Sequence, residues 1–203
     1  MHHSKLKQIQ REEAILLSLK KLDYLTRSQL QLIHSLKSDR NARRILTQMS
    51  DRINVKKDGK CVYYLNSKGR EIVNCPKVRK GTGNIDHYIM RNTIYIAYGM
   101  PNTWKNEVKM TSKGRVKSET VSIVSDALFK QEKTLYIVEV DNTQTMAKNR
   151  IKMDKYRTLI NRGSFGQNQP YFVWITTSDL KRKQLSELCN DLPHQIFLAS
   201  DFA

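Results

Sequence analysis

Residues 124–142 read VSDALFKQEKTLYIVEVDN, and their pattern of apolar and acidic residues indicates how this part of the chain folds. It contains two apolar runs that are typical of β-strands, and a short polar segment separates them. Three carboxylates interrupt the pattern, because Asp126 lies within the first run while Glu139 and Asp141 end the second. Burying an unpaired carboxylate is costly. These acids therefore either form a site or lie where a strand end reaches water.

We expect the two strands to form a hairpin that turns at Gln131-Glu132. Asp126 then lies opposite Ile137, and its diagonal neighbour is Glu139, about 7–8 Å away. Alternate residues of a strand share a face, so the three carboxylates converge on one face of the sheet. This is an oxygen-rich arrangement that Mg²⁺ or Mn²⁺ can take, and it depends on the register. The predicted metal ligands are Asp126, Glu139 and Asp141.

The segments around this hairpin predict alternating helices and strands. A helix over NIDHYIMRNTIYIAYG comes first, and the strands TWKNEVKM, TVSIVSDALF and TLYIVEVD follow it. A helix, a strand, a second helix and a last strand complete the chain. The order predicts an α/β domain with a mixed sheet, in which two antiparallel hairpin connections precede right-handed crossovers.

The first 75 residues predict a different domain, with three short helices followed by a hairpin at Asp58-Gly59. This order resembles a winged helix-turn-helix, in which the third helix enters the major groove and the hairpin contacts phosphates. The alternative is a helical interaction module whose basic face is merely solvated. The predicted DNA contacts are Arg40, Asn41, Arg43, Arg44, Thr47 and Gln48 of the helix and Lys56, Lys57 and Lys60 of the turn.

The composition predicts a soluble, cytoplasmic protein with a polyanionic partner. The 203 residues include 36 Lys+Arg and 19 Asp+Glu, a formal net charge of +17, and basic residues predominate in both halves. No apolar run is long enough to span a membrane. Three scattered cysteines argue against zinc or a disulfide framework. We place a basic linker at 76–84, between a winged-helix domain at 1–75 and an α/β domain at 85–203.

The αβββαβ order, with its two strand acids, resembles the PD-(D/E)xK nuclease fold. The chain as a whole resembles the replication-relaxation family of plasmids and other mobile elements, whose members combine a winged helix with such a nuclease-like domain. The resemblance covers nearly all of the chain. Its motifs correspond to Ser125–Phe129, Glu139–Asn142, Lys152 and Tyr156.

The resemblance implies a catalytic set that this chain alters. An active PD-(D/E)xK enzyme has Lys where this sequence has Asp141, and its motif has Pro where this sequence has Ser125. A lysine of the following helix, Lys148 or Lys152, would have to replace the missing cation, and otherwise forms a salt bridge or is solvated. The predicted catalytic set, active or vestigial, is Asp126, Glu139, Asp141 and Lys152.

The implied function is that of a double-stranded-DNA-binding accessory protein in plasmid replication or a conjugative relaxosome. It requires no cofactor, although Mg²⁺ or Mn²⁺ is compatible with the acids, and its partners are DNA, a relaxase or replication protein, or a second copy in a homodimer. Two alternatives remain open: a metal-dependent endonuclease, and a transcriptional regulator with a dimerising second domain. A basic loop with Lys113, Arg115 and Lys117 is a further candidate phosphate contact.

Overall fold

The computed structural model describes residues 2–114 and 116–202, without the side chains of His2, His3, Asp58 and Lys117. The chain divides into two compact units between Asn92 and Thr93, which is later than the predicted linker at 76–84. Side-chain hydrogen bonds explain the difference. Asn92 Nδ2 donates to the carbonyls of Leu22 and Tyr24 at 2.9 and 2.7 Å, so this segment packs with the first unit.

The first unit has the element order helix, strand, helix, helix, strand, strand, helix. Its three strands form an antiparallel sheet in the order β1-β3-β2, and Gly59, with φ +66°, connects the last two. The positive φ is the conformation that glycine adopts without steric cost. The elements are α1 (His2–Leu22), β1 (Leu25–Thr26), α2 (Arg27–His34), α3 (Asp39–Gln48), β2 (Ile53–Asp58), β3 (Lys60–Leu65) and α4 (Ser67–Ile72).

Local sequence signals fix the starts of α2 and α3. Thr26 and Gln29 form a capping box, in which each side chain accepts from the backbone N–H of the other residue. The Ser38 side chain accepts from the N–H of Asn41 and so caps α3. The apolar residues of the predicted stripe on α3, among them Ile45 and Leu46, are buried in the core. The opposite face of α3 is left to solvent.

The second unit is built on a five-stranded mixed sheet in the order β4-β5-β6-β7-β8. The pairs β4–β5 and β5–β6 are antiparallel, whereas β6–β7 and β7–β8 are parallel. The predicted α/β class and mixed sheet are confirmed. The elements are α5 (Ile85–Ala97, which starts in the first unit), β4 (Lys105–Ser112), β5 (Val121–Gln131), β6 (Thr134–Asp141), α6 (Met146–Asn161), β7 (Tyr171–Thr176), α7 (Asp179–Leu188) and β8 (His194–Leu198).

The hairpin between β5 and β6 has a register two residues away from the predicted one. Gln131 pairs with Thr134, so the turn residues are Glu132 and Lys133 rather than Gln131 and Glu132. Glu132 adopts a positive φ of 53° to close the turn. Because side chains alternate with a period of two, this shift leaves every residue on its predicted face.

A hydrophobic core lies between the sheet and helices α6 and α7. Ile137 and Trp174 of the sheet pack there with Met153, Tyr156 and Leu185 of the helices. None of the described helices combines the length and the apolar composition that a bilayer crossing requires. Asp126 in the middle of β5, and Glu139 and Asp141 at the end of β6, lie on the side of the sheet that α6 and α7 cover.

Candidate functional site

Asp126 lies where the pairing of β5 with β6 ends. Regular pairs run from Gln131↔Thr134 to Ala127↔Val138. One residue further on, Asp126 Oδ2 accepts the backbone N–H of Val140 at 2.8 Å. The carboxylate thus satisfies a backbone donor at the point where the ladder stops. This role in the hairpin accounts for an acid within an apolar strand.

Glu139 is fully buried and held by two residues of α6. Its carboxylate accepts from Lys152 Nζ at 2.5 Å and from the hydroxyl of Tyr156. The pKa of Glu139 is raised from its usual 4.5 to about 8, mainly because the group is buried and secondly because of the nearby charge of Asp126. For Lys152, burial alone would lower the pKa, but the charges of Glu139 and Asp126 outweigh it and raise that pKa. The two groups therefore interact through their charges as well as through the hydrogen bond.

Asp141 is also fully buried, and a residue that the sequence reasoning missed neutralises it. Lys181 of α7 donates to Asp141 Oδ1 at 2.9 Å and to the carbonyl of Gln144 at 2.9 Å. Asn149 Nδ2 of α6 donates to the other carboxylate oxygen at 3.1 Å. The order of the elements indicates this contact. Helix α7 follows β7, which is parallel to β6, so the first turn of α7 lies near the carboxyl end of β6, where Asp141 is located.

The network brings Glu139, Asp141 and Lys152 together on one side of the sheet, and adds Lys181. Each of these two buried carboxyl groups lies against one ammonium, Glu139 against Lys152 and Asp141 against Lys181, the kind of partner that a charge at a buried site needs. Among residues 2–114 and 116–202, no group of three or more His, Cys, Asp or Glu side chains is placed to hold a metal ion. The metal-binding role of Asp126, Glu139 and Asp141 stays a prediction.

The exposed face of α3 carries the predicted DNA contacts. Its side chains are linked along the helix, since Arg44 donates to Asn41 Oδ1 at 3.0 Å and to Gln48 Oε1 at 3.5 Å. These hydrogen bonds hold the Arg44 guanidinium along the helix surface and leave it exposed. Asn41 is half-buried, and the exposed members are Arg40, Arg43, Arg44, Thr47 and Gln48.

The β2–β3 hairpin lies beside this helix. Lys57 and Lys60 are exposed and Lys56 is half-buried. Lys60 Nζ lies 3.1 Å from a carboxylate oxygen of Asp86, but both side chains are more than half exposed, so the pair contributes little. A cleft of about 480 Å³ separates the hairpin from α3, and its lining includes Arg27, Arg43, Leu46, Thr47, Lys57 and Tyr63.

The basic loop after β4 is only partly described. Lys113 is exposed, whereas Arg115 and the side chain of Lys117 lie outside the described residues. The predicted phosphate contact at this loop therefore stays a prediction.

Comparison with known proteins identifies the family. Protein VC1899 from Vibrio cholerae, known from a crystal structure, is similar at 12% identity with a TM-score of 0.42; the match covers 96% of this chain and 49% of that one. The chain thus spans about half the length of that protein. No curated protein matches the sequence significantly. A replication-relaxation family profile matches residues 16–173, which confirms the resemblance inferred from the motifs and links the chain to replication or mobile elements. The chain belongs to the replication-relaxation family.

Proposed function

We propose that the protein binds double-stranded DNA sequence-specifically through a winged helix, its first unit, and serves as an accessory factor of a mobile element. The observation that carries this proposal is the division of α3 into two faces. Ala42, Ile45 and Leu46 anchor one face in the core, and arginines, Thr47 and Gln48 occupy the exposed face. A helix fixed in this way presents its polar side chains at defined positions.

The chemistry of that face suits base edges in the major groove. Arginine can donate two hydrogen bonds to guanine, and glutamine can pair with adenine. The lysines of the hairpin suit phosphates, which set the register of a helix in the groove. The net charge of +17 adds long-range attraction to any nucleic acid. The proposed partner is therefore duplex DNA, together with a relaxase or replication protein that acts on the same site.

For the second unit we propose a nuclease-like fold without catalytic activity. Asp141 stands at the position of the expected lysine, and Lys181 neutralises it within a buried network. An ammonium engaged in this way holds a carboxylate and is not aimed at a phosphate. The same applies to Lys152, which is in contact with Glu139.

The second candidate function is a metal-dependent endonuclease. One observation favours it, because Lys152 places an ammonium beside Glu139 on the face that also carries Asp126. If a divalent cation displaced the lysines from these carboxylates, the metal, its carboxylate ligands and the freed ammonium groups would lie at one place. For either function we also propose that the protein is located in the cytoplasm and forms a homodimer.

Selection from a random duplex library tests the proposed DNA binding. The full chain is incubated with the library at physiological salt, and bound fragments are amplified and sequenced over several rounds. We expect enrichment of one motif, which the variant Arg40→Ala/Arg44→Ala fails to enrich. A library that stays random with the wild-type chain, while the protein remains folded by circular dichroism, would refute site-specific recognition.

A further inference from the structure

A second basic surface lies in the second unit, in a groove between β5 and α6. The groove has a volume of about 330 Å³. Lys148, Lys152 and Lys155 line one side of it, and Val124 and Ile151 belong to its apolar part. None of its described lining residues is acidic. A concave surface with three cations and no carboxylate at its wall is complementary to a polyanion.

The three lysines share one face of α6 because their positions follow helical spacing. Lys152 is engaged with Glu139 below the groove, whereas Lys148 and Lys155 are exposed. Neither of these two forms an ion pair with a carboxylate in the described part of the chain. Lys148 and Lys155 are seven residues apart, about 10 Å along the helix axis. Two separate ammonium groups therefore face the groove.

The β-sheet side adds a further cation. Lys109 of β4 is the cross-strand partner of Val124, and both side chains are exposed. Partners in an antiparallel ladder have Cβ atoms about 5 Å apart, so Lys109 lies beside the groove wall. The basic surface thus extends from α6 across the groove to β4.

We propose that this groove binds the sugar–phosphate backbone of duplex DNA without reading sequence. Lys148 and Lys155 are far enough apart to contact different phosphates, and Val124 and Ile151, 49% and 59% exposed, offer apolar contact to the sugars. No aromatic side chain is among its described lining residues, and single strands bind mainly through base stacking on aromatic rings. The groove extends the proposed DNA binding to the second unit, and it can hold or fail independently of recognition by α3.

Lysine footprinting of the full chain tests the groove. The protein is treated with an acetylating reagent, with and without a 30-base-pair duplex of arbitrary sequence at low salt, and modification is quantified by mass spectrometry. We expect DNA to reduce acetylation of Lys148 and Lys155 several-fold. Lys130 and Lys183, exposed lysines of the same unit outside the groove, should react equally in both samples. Equal reactivity of all four would overturn the proposal.

Salt dependence of binding gives a second readout with a matched control. Each phosphate contact adds about 0.9 to the slope of log affinity against log salt, so Lys148→Gln/Lys155→Gln should reduce the slope by nearly 2. Lys130→Gln/Lys183→Gln should leave it unchanged, and an equal reduction would mean that only net charge matters. If a polyglutamate peptide protects Lys148 and Lys155 as strongly as DNA does, the ligand is an acidic protein segment and the nucleic-acid assignment is wrong.

The two proposals can be separated with the variant Arg40→Ala/Arg44→Ala. If protection of the groove lysines persists in this variant, the groove binds DNA independently of α3. If the wild-type chain selects no motif and yet shows this protection, the proposal for α3 fails while the groove stands. Loss of protection in a folded variant would show that the groove has no affinity of its own, which contradicts the inference.

Discussion

Lys181 is the residue on which the buried acid network depends most visibly. Its ammonium is the cation that compensates Asp141, a carboxylate with no solvent exposure. We expect Lys181→Met to lower the free energy of unfolding by roughly 3 kcal/mol, because it leaves a buried charge without its partner. Chemical denaturation of the full chain measures this difference.

A control variant and a rescue variant test whether the loss of stability comes from the contact between Lys181 and Asp141. Lys183→Met, two residues along the same helix but exposed, should change stability by less than about 0.5 kcal/mol. Asp141→Asn in the Lys181→Met chain should recover most of the loss, since no uncompensated charge then remains. Equal destabilisation by the two lysine substitutions would show that Asp141 does not depend on Lys181.

Glu139 makes stability depend on pH. Its pKa is raised to about 8 by burial and by Asp126, so between about pH 4.5 and pH 8 the folded state holds a proton that the unfolded chain has lost. The free energy of unfolding should therefore fall as pH rises through this window, by at most about 1.4 kcal/mol per pH unit from this group. In Glu139→Gln this contribution is absent. Denaturation of both proteins at pH 5, 6, 7 and 8 tests this, and parallel profiles would contradict the raised pKa.

At the scale of elements, α3 and the β2–β3 hairpin are expected to contribute differently to DNA binding. Arg44→Ala should cost about 1–3 kcal/mol on a selected site and relax the preference at one base pair. Lys57→Ala should weaken all sequences alike and reduce the salt slope by about 1. Fluorescence anisotropy with the selected duplex and its single-base variants measures both effects. A uniform loss for Arg44→Ala would assign that residue to a phosphate instead.

Most elements could be predicted from the sequence because their signals are local. The capping box at Thr26, the apolar stripe of α3 and the alternating pattern of β5 each act within a few residues. The predicted hairpin register was wrong by two residues. The predicted turn, Gln131-Glu132, and the observed turn, Glu132-Lys133, both consist of polar residues that a turn accepts, so composition does not distinguish them. The error left Asp126 and Glu139 on their predicted face, because a shift by two preserves the alternation.

The part of the site that could not be predicted depends on contacts distant in sequence. Lys181 lies 40 residues after Asp141, and nothing near either residue indicates their pairing. The boundary between the units has the same origin, since Asn92 reaches back 70 residues to the carbonyl of Leu22. Such pairings follow from the packed topology, which local patterns do not contain.

For the whole molecule, the net charge of +17 predicts strongly salt-dependent DNA binding. Affinity for an arbitrary duplex should fall at least tenfold between about 50 mM and 200 mM salt, because phosphate contacts release counterions. The selected site should lose affinity with a similar slope but retain its preference over arbitrary DNA. Titrations at four salt concentrations measure this, and a flat dependence would contradict a mainly electrostatic contribution.

The central claim is that the protein recognises DNA and does not cut it. The most direct test incubates supercoiled plasmid with the full chain, with no metal, with Mg²⁺ or with Mn²⁺, and separates the products before and after removal of the protein. The account predicts retarded plasmid that returns to the supercoiled form under every condition, because Lys152 and Lys181 hold the buried carboxylates. Metal-dependent nicked or linear product, lost in both Asp126→Ala and Glu139→Ala, would contradict it and establish the endonuclease.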